Sequence, residues 1–220
     1  YTAVDGFEWA GDRVIGARVV DRLNGSRGTI RASALVNATG PWVDRLRAME
    51  EPGCRPLVRT TKGVHVIVPR DRLGHHEAIA FLSPIDGRVM FALPWGDLSY
   101  LGTTDTDAPE PPESAVATAD DIVYLLRSVN ARFPNARLGL DDVRGSWVGL
   151  RPLLTPEHDG KPSSRSREHA IVTGAGGIVT VAGGKLTTFR VMAAQAVDRV
   201  LAELTKRGIS VRSGEARTDE

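Results

Sequence analysis

The sequence predicts an α+β chain of discontinuous design. A sheet-building middle portion, residues 51–147, is flanked by residues 1–50 and 148–207, which belong to one layer system. Three observations carry this. Segments that alternate apolar and polar residues outnumber helical ones. Three of them follow one another as a meander between stretches of different character. The middle portion contains one long helical pattern.

Taken in order, the first residues carry no capping signal and no obvious first element. Arg13 to Arg22, RVIGARVVDR, alternates as a strand, and Asn24-Gly25 is a turn signal. TIRASALVNATG reads as one further strand. Pro41 then stands where a first helical residue would, so PWVDRLRAME is expected to be a short helix. LVRTTKGVHVIVP is a β-rich run broken at Gly63. AIAFLSP, RVMFALPW and SYLGTTD form the antiparallel meander, with turns at Asp86-Gly87 and Gly96-Asp97. TDAPEPPES is a proline-rich loop. ATADDIVYLLRSVNARFP is an amphipathic helix with Thr118 as its N-cap and Pro134 past its end. DDVRGSWVGLRPLL is another strand and TPEHDGKPSSRSREH a polar loop. AIVTGAGGIVTVAGG is a hairpin around Gly176-Gly177. The last helix is expected from about Lys185 to Arg207, and residues 208–220 form a loosely ordered tail.

The bulk numbers narrow the function classes. The chain has 220 residues, 41% hydrophobic and 25% charged, which is ordinary for a globular protein with a real core. A net charge of +1 leaves no global attraction to nucleic acid or anionic membrane. The single cysteine, Cys54, excludes an internal disulfide and a cysteine-rich zinc site and fits a reducing, cytoplasmic setting. No apolar run approaches the ~18 residues of a membrane span, and no signal-peptide pattern occurs. The sequons at Asn24 and Asn37 are expected to stay unglycosylated.

Four constellations bear on chemistry. In VNATGPW, small residues follow a strand and precede a helix; this is either a plain connection or a place where a bulky ligand approaches the backbone. His65 lies inside the run KGVHVIVP, as a packing residue or a base. His75-His76 is expected to be solvated. No H-x-x-x-H pair occurs on a helix, so no metal site is expected. Arg151 stands in the apolar strand SWVGLRPLL, where a charge must be paired or meet a ligand. Finally, VTVAGGKLTT runs from strand through glycine turn to helix start, an arrangement that presents N–H groups to an anion. It is not a P-loop, since Leu186 follows the lysine. Nor is Gly174 to Val179 a GxGxxG fingerprint, since Val179 replaces its last glycine. Lys185 at a helix N-terminus opposes the macrodipole, which suggests an anion nearby.

Together and in this order, VNATGPWVD, KGVHVIVPR, ALPWGDLSYLGTTDTD, WVGLRPLL, SREHAIV and GGKLTTFRVMA resemble FAD-dependent glycerol-3-phosphate dehydrogenase. The resemblance runs from about Gly16 to Leu204, and GGKLTTFR and GTTD are its most specific parts. The wider group is the glycine-oxidase-like flavoproteins, which share the FAD/NAD(P)-binding-type fold. The resemblance makes residues 1–50 and 148–207 a partial FAD-binding domain and 51–147 a substrate-binding domain. The family's GxGxxG unit, its N-terminal arginine and its C-terminal helical domain have no counterpart here, so the chain is expected to be a middle portion of a longer parent enzyme and inactive by itself.

The resemblance implies oxidation of sn-glycerol 3-phosphate to dihydroxyacetone phosphate, with electrons leaving to quinone or another acceptor. It implies His65 as the base and Arg151 beside the reacting hydroxyl. Arg167 and Lys185 become phosphate ligands, with Thr103 and Thr104 as weaker carry-overs. Thr39, Gly40, Trp42, Gly183, Gly184, Leu186 and Thr187 line the cofactor. It leaves open a peripheral membrane association of the parent and its oligomeric state. Two rivals stand beside it. One is an amine- or amino-acid-oxidising flavoenzyme of the same fold, from which Arg167 discriminates. The other is a cofactor-free, non-catalytic fragment.

Overall fold

The computed structural model describes residues 1–155, 168–211 and 214. The chain divides into two compact units, residues 1–59 with 152–220, and residues 60–151. The contacts thus divide the chain nine residues beyond the boundary read from sequence at 50/51 and four beyond that at 147/148, and each division falls within a long strand, β5 or β10. Most of the expected tail after Gly208 lies outside the described residues.

In the first unit, β1 (Thr2–Ala10), β2 (Arg13–Asp21) and β3 (Arg27–Arg31) form an antiparallel sheet. The sequence reading missed β1. Its alternation is interrupted by register shifts between Val4 and Gly6 and between Glu8 and Trp9, so no clean period of two survives. The stretch read as one strand after Asn24-Gly25 is two. After β3 the chain leaves that sheet and re-enters another as β4 (Val36–Asn37). There it lies parallel to β12 (Val179–Gly183), which pairs antiparallel with β11 (His169–Thr173).

A 3₁₀ turn at Gly40–Trp42 leads into α1 (Val43–Glu50), and another at Leu186–Thr188 into α3 (Phe189–Lys206). The last α-helix thus begins four residues later than expected. Phe7, Val14 and Ile178 form one buried cluster of this unit, and Val43, Val58 and Ala182 another.

Two carboxylates fix these elements. Asp44 in the first turn of α1 accepts the N–H groups of Leu57 and Val58 at 2.9 Å, which pins the start of β5. Glu50 at the end of α1 is buried and accepts N–H from Gly176 at 2.8 Å and Ile178 at 3.2 Å, which holds the β11–β12 turn. Burial is the largest influence on the Glu50 carboxyl and raises its pKa.

The second unit is a sheet in the order β10 (Gly145–Leu154), β5 (Val58–Pro69), β8 (Leu98–Gly102), β7 (Val89–Trp95), β6 (Ile79–Leu82), with β9 (Thr106–Asp107) also on β5. Gly63 does not break β5, which runs through it. One face carries Val64, Val66, Val68, Met90, Ala92 and Leu101, all fully buried with Leu125 and Val129 of α2 (Ala119–Arg132). Thr118 caps α2 as expected, in a capping box with Asp121. Alternation sends His65, Tyr100 and Trp95 to the opposite face. His75 is not solvated. It is buried, with Nδ1 2.7 Å from the Glu77 carbonyl and Nε2 2.6 Å from the Ser99 hydroxyl.

Candidate active site

In the second unit, strand pairing brings His65, Arg151 and Thr103 together. His65 on β5 lies directly opposite Gly102 on β8. That pairing needs glycine: a Cβ on Gly102 would stand 2.1 Å from His65 Cδ2. Two residues earlier on β5, Gly63 makes the same room for Arg151, whose Nη2 would be 2.4 Å from an added Cβ. Both polar side chains are thus laid flat over bare backbone.

Arg151 donates to the Thr103 hydroxyl at 3.0 Å, and to the Thr104 carbonyl and Asp105 carboxylate, each at 3.3 Å. Its charge is paired, as its apolar strand demanded, yet its side chain keeps 29% exposure. Thr104 is buried, and its hydroxyl accepts the Val64 N–H at 2.9 Å. Its work is to pin the GTTD loop to β5. The His65 ring lies against Trp147 at 5.6 Å and Tyr100 at 6.2 Å. Burial first, and the Arg151 charge second, hold its pKa below the usual imidazole value. The cluster therefore offers a neutral imidazole beside a fixed guanidinium, a proton acceptor next to a group that stabilises negative oxygen.

In the first unit, β4 and β12 are adjacent and parallel, and both end in the stretches singled out from sequence. Ligands of open α/β sheets bind beyond the carboxyl ends of such strands. Thr39, Gly40 and Trp42 follow β4; Gly184, Lys185, Leu186 and Thr187 follow β12, which ends at Gly183. Gly40, Gly183 and Gly184 all have positive φ, at 58°, 73° and 82°. Only glycine takes these angles without strain, so both turns present backbone.

Leu186 and Thr187 open the helical turn, and their N–H groups have no acceptor within it. This set fits a flat group that gains negative charge on reduction, such as a flavin: bare backbone, first-turn N–H donors and an exposed cation at Lys185. Lys185 itself is extended and precedes the 3₁₀ turn, with its N–H donated to the Thr188 hydroxyl at 3.3 Å. Arg167 lies outside the described residues.

Sequence reasoning missed several supporting residues. Asn37, read only as a sequon, is buried; it donates to the Val43 carbonyl at 2.9 Å and accepts the Thr39 hydroxyl at 2.7 Å, so it shapes the β4–α1 turn. Gly63 and Gly102 were visible as glycines within strands, the usual mark of a close approach. Trp147 sits four residues before Arg151 on the same strand face, a parity that alternation alone reveals.

These two arrangements define the class as a FAD-dependent oxidoreductase fold. The FAD dependent oxidoreductase (DAO) family matches residues 1–190, and the chain belongs to it. It is similar to "Glycerol-3-phosphate dehydrogenase 2" of Mycobacterium bovis, 46% identical over 188 residues, which are 86% of this chain and 32% of that protein. It is also similar to "Aerobic glycerol-3-phosphate dehydrogenase" of Staphylococcus aureus, 38% identical over 208 residues, 94% of this chain and 37% of that one. The glycerol-3-phosphate dehydrogenase of Bacillus halodurans, solved with FAD, superposes with a TM-score of 0.83 at 35% identity, covering 96% of this chain and 40% of that chain. The chain thus spans about a third of the length of the curated relatives it matches. Among the described residues, no helix is long and apolar enough to cross a membrane.

Proposed function

We propose that the chain is the part of a FAD-dependent sn-glycerol 3-phosphate dehydrogenase that holds the proton-transfer group and one side of the cofactor. The observation that carries the reading is the neutral imidazole of His65 laid beside Arg151 over two obligatory glycines. The names of the relatives supply the substrate.

Residues 1–59 with 152–220 carry the cofactor contacts in this reading, through Thr39, Gly40, Trp42, Gly183, Gly184, Leu186 and Thr187. Residues 60–151 carry the substrate chemistry. FAD, when bound, supplies the acceptor for the hydride that leaves C2. His65 takes the proton of the C2 hydroxyl, work suited to an imidazole that is unprotonated near neutral pH. Arg151 stabilises the negative charge that grows on that oxygen. Thr103, Thr104 and Asp105 hold the guanidinium fixed, so little reorganisation is needed at the moment of transfer. Lys185 and Arg167 take the phosphate, the arginine bidentately. The product is dihydroxyacetone phosphate. Electrons then pass to quinone or another acceptor. We place the work in the cytoplasm, and at the inner face of the cell membrane where quinone is the acceptor.

The test is anaerobic mixing of the full-length protein with candidate substrates. Glycerol 3-phosphate is expected to bleach the visible flavin band, and glycerol to do so poorly. Bleaching by an amine or amino acid instead would replace the reading with the amine-oxidising one, and a colourless full-length protein would remove the cofactor from it.

A further inference from the structure

The open face of the second unit's sheet holds an aromatic group that the reaction above does not use. Trp147 on β10 lies 5.6 Å from the His65 ring with 32° between planes, a tilted face contact. Tyr100 on β8 meets His65 nearly edge-on at 6.2 Å and meets Trp147 at 5.4 Å. Trp95 on β7 closes the group from the outside, 6.1 Å from Trp147 and 6.2 Å from Tyr100, both edge-on. His65 and Trp95 each meet two other rings, and Tyr100 and Trp147 each meet three, so no ring tilts without moving its neighbours. Among the described residues neither nitrogen of His65 has a hydrogen bond, whereas the neighbouring Arg151 is held by three.

We propose that Trp147 is a positioning residue for His65, its indole acting as the wall that fixes the imidazole plane over Gly102 and leaves the ring nitrogens for a ligand. Oriented histidines are ordinarily held by a hydrogen bond from one nitrogen to a carboxylate or carbonyl. Here ring packing does that work, and both nitrogens stay available. Ring contacts at such separations attract beyond the area they bury, which favours one ring orientation over others.

The wall also removes water from the imidazole. This agrees with burial being the first cause of its lowered pKa. The charged and titratable groups around the ring are Arg151 on β10, Tyr100 on β8, and Asp105, which is paired with Arg151. Arg151 acts in the same direction as burial. Removing Trp147 leaves Arg151 and Asp105 in place, so the effect of the wall can be separated from that of the charge.

The proposal rests on reading His65 as the base, but its test does not require turnover. Diethyl pyrocarbonate acylates only the neutral imidazole. Its rate at His65, followed by peptide mass spectrometry across pH in the full-length protein, reports the protonation midpoint, and His65→Gln identifies the peptide. In wild type the midpoint is expected below that of a free imidazole, about 6.5. Trp147→Ala should move it up toward that value, and Trp147→Phe should restore it. Trp147→Gln keeps a longer side chain than alanine at the position but replaces the ring with polar atoms. It guards against a folding failure of the alanine variant and should move the midpoint in the same direction.

In turnover, Trp147→Ala should lower kcat more than it raises KM, because a misaligned base weakens the chemical step rather than uniform binding. An unchanged midpoint in both the Ala and Gln variants, or a shift in Trp147→Phe as large as in Trp147→Ala, overturns the proposal. If glycerol 3-phosphate proves not to be the substrate, the acylation profile is unaffected, so the two failures are distinguishable.

Discussion

Gly102→Ala is the sharpest perturbation of the account. An added methyl would stand 2.1 Å from Cδ2, 2.6 Å from Nε2 and 2.7 Å from Cγ of His65. Carbon atoms in contact sit about 3.5–4.0 Å apart, so the ring must withdraw by roughly 1.5 Å. It has no room to sink, because the other face of β5 is filled by Val64 and Val66, both fully buried. The imidazole must therefore swing away about χ1, out of its contact with Trp147. Crowding of this kind costs about 1–3 kcal/mol. A misplacement of ~1 Å at a reacting group can cost about 10²-fold in rate.

The assay is stopped-flow reduction of bound flavin by glycerol 3-phosphate without an acceptor, alongside thermal unfolding. The variant is expected to fold with a lowered Tm and to reduce its flavin about 10²-fold more slowly. Gly28→Ala is the control, since a Cβ there meets nothing within 4 Å. A Gly102→Ala protein that reduces flavin at the wild-type rate would refute the claim that this glycine exists to seat His65.

Two further outcomes are expected. Burial raises the pKa of Glu50 in the folded state, so the fold binds its proton more tightly than the unfolded chain does. The stability this gives is present below the unfolded value and is lost as pH rises through the folded one. Glu50→Gln, whose carbonyl oxygen can still accept from Gly176 and Ile178, should therefore gain in Tm relative to wild type as pH climbs from the usual carboxylate range; a difference in Tm that stays flat with pH contradicts this. Arg167→Ala should mainly raise the KM for glycerol 3-phosphate while leaving the slow oxidation of glycerol little changed, because a phosphate contact is largely uniform binding; equal losses on both substrates would make Arg167 structural.

The meander, α2 with its Thr118 cap, and the β11–β12 hairpin were legible because each is local. A turn residue, a capping box or an unbroken alternation suffices to mark them. β1 escaped because its bulges hide the period, and the break between β3 and β4 escaped because a change of sheet leaves no mark on a run of small residues. Gly63 read as a breaker because its reason lies 88 residues away in Arg151, a cross-strand neighbour that no local pattern reveals. His75 looked solvated for the same cause, since its partner Ser99 belongs to β8. At the candidate site, His65 and Arg151 could be singled out as polar residues in apolar strands. Alternation puts Trp147 on the face of Arg151 but does not show that it meets His65 on another strand, and the local bonds of Asn37 to Thr39 and Val43 leave no pattern in the sequence.

The central claim is that His65 is the base. The direct measurement is the rate of flavin reduction by glycerol 3-phosphate in the full-length His65→Ala protein, under anaerobic conditions and across pH. A general base contributes about 10²–10⁴-fold, so reduction should slow by that factor, and the acidic limb of the wild-type profile should vanish or move. Reduction within about threefold of wild type, with the acidic limb intact, would contradict the account, make His65 a packing residue and turn the search to Lys185.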